Sequence, residues 1–193
     1  MRPLRASPSW ETLLDEMVRA SATLTQAAPA AFPHTAPGRG ADPASIAAAA
    51  ERLGRPLDAQ HETLLRLVDG WQSAFQSGTL LGTHDLGQGA LWTDANASLD
   101  VFYAEGDATG WPPRGELVPV HASPHDSDVM ALWLGGPVTD GGHPVVSFSG
   151  EVVDTWPHLQ QWWLRMLDLQ ELSLAHVLEL TDQGPGERSS TRR

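Results

Sequence analysis

Apolar residues recur at helical spacing in five stretches of this chain, and short β-branched runs fill much of the second half. Trp10, Leu13, Leu14, Met17 and Leu24 predict a first helix with one apolar face, and Ser9 is placed to cap it. Asp42-Pro43 is a helix start, an Asp cap followed by Pro at the first helical position. Ile46, Ala50 and Leu53 form its buried stripe and Gly54 its stop. Asp58 caps a third helix with the stripe His61, Leu64, Leu65 and Val68, and Gly70 stops the chain again. Leu99, Phe102 and Tyr103 mark a short helix from Asp94 to Tyr103, capped by Thr93 or Asp94. A closing helix is expected after a Thr155 cap, with Pro157 near its start and the stripe Leu159, Trp162, Trp163, Met166 and Leu167. Its pattern continues weakly to Leu180.

The strands are read from the runs between turn-formers. Gly78 to Leu86 leads into a turn, and Leu117 to Val120, Asp128 to Leu134, Pro144 to Ser149 and Glu151 to Asp154 follow. Ser123-Pro124, Gly135-Gly136-Pro137 and Asp140-Gly141-Gly142 separate them in a meander-like antiparallel pattern. Val129 to Leu134 is apolar on both faces, as a central strand covered on both sides would be. Trp71 and Phe75, just after Asp69-Gly70, are assigned to a loop, as are Trp92 and Trp111. The Ala-, Pro- and Gly-rich stretch from Gln26 to Ala41 is expected to be a linker or irregular loop, and Gln183 to Arg193 a disordered tail. Helices, then strands, then a helix predict one α+β domain over residues 1–182, an antiparallel or mixed sheet with helices packed on it.

Composition narrows the chemistry. The chain has 193 residues, no cysteine, no lysine and a formal net charge of −12. Disulfides, zinc–thiolate sites, a Cys nucleophile, a Schiff-base lysine and a P-loop lysine are therefore excluded. The acidic balance argues against direct nucleic-acid binding, which needs clustered cations, and fits a basic protein partner. Excess acid that merely keeps the protein soluble is the plainer reading. No apolar run is long enough to cross a bilayer and no leader pattern is seen, so a cytoplasmic location is expected.

The stretch from Ala44 to Leu86 is the most specific text. Ile46, Glu51, Leu53-Gly54, Leu57, Leu64-Leu65, Asp69-Gly70 and Leu80-Leu81-Gly82 together resemble the SMI1/KNR4 family, the SUKH superfamily. Val118-Pro119-Val120, Asp128 to Leu134, Pro144-Val145-Val146 and Trp156 to Leu167 follow in the family's order, so the resemblance spans roughly Trp10 to Leu169. Asp58 stands where the family usually has Pro, and Ser127 where it has Gly. The resemblance implies a SUKH-like α+β domain that binds proteins rather than an enzyme. Bacterial members are largely linked to immunity against toxins, and fungal members are regulatory hubs.

Two functional readings compete with that expectation. His121, His125, Asp126 and Asp128 lie in one inter-strand loop and offer metal-ligating groups to a metal-dependent enzyme, although their spacing matches no metal-site template. A polar β-turn explains the same residues. A regulatory or scaffold module without any toxin is the other rival. His84-Asp85 invites a catalytic reading but lacks a nucleophile elbow. The leading expectation is an immunity protein that occludes a basic toxin and needs no cofactor or metal. Trp71, Phe75 and Trp111 would form the apolar contact, with Asp85, Asp94, Asp126 and Asp128, flanked by Asp100, Glu105 and Asp107, as the acidic rim.

Overall fold

Local capping signals set the first three helices. In the computed structural model, which describes residues 8–33, 35–75, 78–105, 109–123, 127–150 and 152–182, Ser9 accepts from the Thr12 amide and opens α1, Trp10–Ala27. Asp42 accepts from Ser45 N and opens α2, Pro43–Leu53, which Gly54 ends in the left-handed conformation at φ 65°. Asp58 accepts from Gln60 N and His61 N and opens α3, Ala59–Leu67. The Ala/Pro-rich stretch that follows α1 is irregular yet docked. Gly38 N donates to Gly70 O at 2.8 Å and Ala41 N to Leu65 O at 2.8 Å.

The remaining elements are β1 (Trp71–Phe75), β2 (Gly78–Leu80), α4 (Gly89–Glu105), β3 (Leu117–Ala122), β4 (Val129–Trp133), β5 (Val145–Ser149), β6 (Val152–Trp156) and α5 (Leu159–Asp182). All six strands form one antiparallel sheet in chain order, so the expected meander holds and the fold is α+β. Alternation along β4 places Met130 and Leu132 on one face and Val129, Ala131 and Trp133 on the other. The first face packs under α1 and α5, with Leu13, Met17, Trp162 and Trp163 at its centre. The second packs under α4 through Ala95 and Leu99. Helix α3 closes the β1 side, with Leu64 facing the first core and Leu65 the second.

Three expectations need correction. Trp71 and Phe75 lie in strand β1, not in a loop; a register shift and Ser73 at φ 53° break the alternation that marks a strand. Helix α4 begins at Gly89, well before Thr93, and so contains Trp92, which was expected in a loop. Thr93 Oγ1 and Asn96 Nδ2 bond back to the carbonyls of Gly89 and Trp92 and cap nothing. Thr155 belongs to β6, opposite Val146, and α5 begins only after Pro157-His158. A residue preceding Pro is driven to extended backbone, which carries β6 through to Trp156. The expected tail, Gln183 to Arg193, lies outside the described residues.

Where α5 starts is fixed by a buried polar network. The Asp58 carboxylate, its side chain 1% exposed, caps α3 with Oδ1 and accepts from His143 N and His143 Nδ1 with Oδ2, both at 2.8 Å. Gln60 continues the network: its Nε2 donates to Asp140 O at 2.9 Å and its Oε1 accepts from Gln160 N at 3.0 Å. The network thus joins α3, the β4–β5 connection and the first turn of α5. Asp58→Ala removes a cap and leaves buried donors unmet. It should cost about 2–4 kcal/mol, read as a lower urea midpoint with unchanged slope.

His61, next to this network, is 1% exposed. Burial pushes its imidazole down to about 4, against the opposing pull of the Asp58 charge. The unfolded chain therefore takes up a proton below about 6.5 that the folded chain refuses until about 4. Folding stability should be constant with respect to this group above about 6.5 and fall by up to about 3 kcal/mol as pH drops toward about 4. His61→Gln should flatten the urea-midpoint profile between pH 6.5 and 5 relative to the unsubstituted chain.

Candidate binding cleft

Cross-strand register turns the α5-facing side of the sheet into rows. One row, Val118, Leu132, Val145 and Trp156, is wholly apolar. The next is Leu80, His121, Met130, Ser147 and Asp154. Beyond it, toward the turns that join β3 to β4 and β5 to β6, stand Ser123, Asp128 and Ser149. Polarity therefore rises along one sheet face, from a row of pure core to a row of hydroxyls and carboxylates. Where α5 passes over this gradient it leaves a cleft of about 220 Å³. Phe75, Trp156, Met166 and Leu169 supply its apolar wall, and Arg165 and Gln170 come from the helix.

A bulge in β3 puts His121 there. Pro119 pairs with Ala131 and His121 with Met130, so Val120 is the extra residue. Strict alternation from Val118 would turn His121 toward α4; the bulge returns it to the α5 side. The imidazole is 3% exposed, its Nδ1 lies 2.9 Å from Met130 Sδ, and its ring centroid is 5.5 Å from that of Phe75. Gly78 makes room for it, since a Cβ there would stand 2.1 Å from His121 Cε1. Met130 separates His121 from Ser147 in the row, so the two do not form a nucleophile–base pair.

The polar side chains around the cleft are held differently. Gln170 is 6% exposed, and its Nε2 donates to Ala74 O at 3.2 Å and Ser21 Oγ at 3.3 Å. Its Oε1 is buried without a hydrogen-bond partner among the described residues. Asp154 and Arg165 are exposed at the mouth, and among the described residues no ion pair or hydrogen bond joins either side chain to another. Among the described residues no group of three His, Asp or Glu side chains is arranged to hold a metal ion. His125 and Asp126, half of the proposed metal set, lie outside the described residues, as does Asp107.

The sequence-predicted partner residues do not converge. Trp71 and Phe75, 2% and 6% exposed, are core side chains under α1 and α5, and this corrects their assignment to a partner-facing loop. Trp71 Nε1 donates to Thr35 O at 3.2 Å, and Phe75 packs edge-on against Trp162 and Trp163. Asp85 accepts from Gly82 N at 2.9 Å and holds the turn after β2. Asp94 is exposed on α4, and Trp111 is half-buried against Tyr103 and Phe148 on the same side of the sheet. Among the described residues, Phe75 and Asp128 alone of the predicted set line the cleft. Ser147, Ser149, Asp154, Arg165 and Gln170 were not singled out from sequence. The one available signal was two serines at alternate positions of an otherwise apolar strand.

Trp71→Ala and Phe75→Ala should each lower stability by about 3–5 kcal/mol, as large core truncations do, and a urea titration measures it. A loss below about 1 kcal/mol would return these rings to the surface. Comparison of the chain with protein-family models and with curated proteins finds no match to either.

Proposed function

We propose that this chain is a non-catalytic protein-binding domain whose partner is a basic protein, and that its concrete role is immunity, the occlusion of a toxin. The observation that supports this reading is the outer side of α4. A helix that covers a sheet normally turns a polar face to solvent. Helix α4 instead exposes Ala97, Val101 and Ala104 on its outer side. Val101 is 52% exposed. Asp94 and Asp100 flank these positions on the same helix. An apolar strip with an acidic border has the make-up of an interface centre and rim.

Charge favours a basic occupant. The net charge is −12. Several arginines already bond within the chain: Arg52 to Leu86 O and Thr83 O, Arg66 to Glu62, and Arg114 to Asp100 and Asn96. The field that remains is negative and would speed encounter with a cationic surface more than it sets affinity. The resemblance of Ala44 to Leu86 to the SMI1/KNR4 family supports the same class of function.

Co-expression with the product of the adjacent gene tests the proposal. The two proteins should purify together, and association should slow as salt is raised. Val101→Arg should weaken the complex more than tenfold, or more than about 1.4 kcal/mol, without loss of fold. Failure of the neighbouring product to bind would overturn the immunity role. Capture of other cellular proteins in its place would indicate a regulatory module.

A further inference from the structure

We propose that the cleft under α5 is a binding site for a small zwitterion, an α-amino acid with an apolar side chain. This site lies on the opposite face of the sheet from α4 and does not depend on the protein-binding reading.

The argument begins from what an ordinary core would place there. The α5-facing side of the sheet is apolar wherever helices cover it fully, and polar groups in such a layer cost free energy unless they are bonded. Yet His121, Ser147 and Gln170 are all at least nine-tenths buried and line one cavity on that side. The β3 bulge and the glycine at 78 are both required to seat the imidazole. Gln170, which lines the cleft, also carries in Oε1 a buried acceptor without a partner among the described residues. An acceptor, the Ser147 and Ser149 hydroxyls and an apolar wall suit an amphipathic ligand that lies along the polarity gradient.

The charges at the mouth give its class. Asp154 on β6 and Arg165 on α5 line the same cleft and make no ion pair with each other or with any other described residue. The cleft thus carries one guanidinium, Arg165, and two carboxylates, Asp154 and Asp128, a set that matches a carboxylate and an ammonium on one small molecule. The carboxylate would meet a guanidinium, whose fork suits it. Size agrees as well. A cavity of about 150 Å³ is enough for a benzene ring, so about 220 Å³ accommodates a leucine or phenylalanine. Its side chain would lie toward Phe75, Trp156, Met166 and Leu169.

Nuclear magnetic resonance titration of the full chain tests this, with L-leucine, L-phenylalanine, leucinamide and N-acetyl-leucine as probes. The free amino acids should shift the amides of Ser147 and Ser149 and the Trp156 indole N–H. Leucinamide, which lacks the carboxylate, and N-acetyl-leucine, which lacks the ammonium, should each bind at least tenfold more weakly. Asp154→Asn should erase the preference for leucine over N-acetyl-leucine, and Arg165→Gln its preference over leucinamide. Both residues are exposed, so the variants should fold. The proposal is overturned if the cleft signals do not move up to ligand solubility. It is equally overturned if the capped forms bind as well as leucine, or if the two variants leave both preferences intact.

Discussion

The buried carboxylate of Asp58 is the interaction on which the arrangement of layers depends. A carboxylate removed from water needs its lone pairs filled, and here one oxygen meets two amides of α3 while the other meets the backbone and ring of His143. The same group that starts a helix therefore pins the β4–β5 connection to it. Gln60, two residues on, extends the tie to the opening turn of α5. His158, 2% exposed, closes the network through Gln60 Nε2 at 3.3 Å and Asp140 Oδ2 at 3.2 Å. A Pro at position 58 would keep the turn but supply none of these bonds.

Anchoring α5 at its first turn has a consequence farther along. The helix crosses the sheet over an apolar row, then over a row that ends in Ser147 and Asp154. Packing is complete at Trp162 and Trp163 and opens at Arg165 to Gln170, where the sheet face beneath has turned polar. Core and cleft are thus two ends of one surface, separated by a change of side chain at each strand rather than by a change of fold. On the other side of the sheet Phe148, Val146 and Leu99 pack without such a gradient. There the unusual feature lies outside, where α4 leaves apolar positions uncovered.

What the sequence made legible follows from the range of each interaction. The Ser9, Asp42 and Asp58 caps and the Gly54 stop act within a few residues, and each stands where its local pattern puts it. The meander was readable because turn-formers punctuate short apolar runs. Trp71 to Phe75 was misread because a bulge and a positive φ at Ser73 scramble the period of two. Thr155 has the side chain of a cap and Pro157 stands two residues on, yet cross-strand pairing with Val146 holds it extended. The cleft was illegible for a different reason. Its residues come from β1, β2, β3, β4, β5, β6 and α5, and only strand register aligns them. One inserted residue at Val120 decides which face His121 occupies.

The central claim is that the two faces of the sheet have separate uses, with a protein met on α4 and a small ligand held under α5. Hydrogen exchange, compared between the free chain and the chain purified with its neighbouring gene product, tests this most directly. The account predicts new protection across Gly89–Glu105 and around Trp111, with exchange in β5, β6 and the first half of α5 unchanged. Protection confined to β6 and residues 159–170, with α4 exchanging as before, would contradict it.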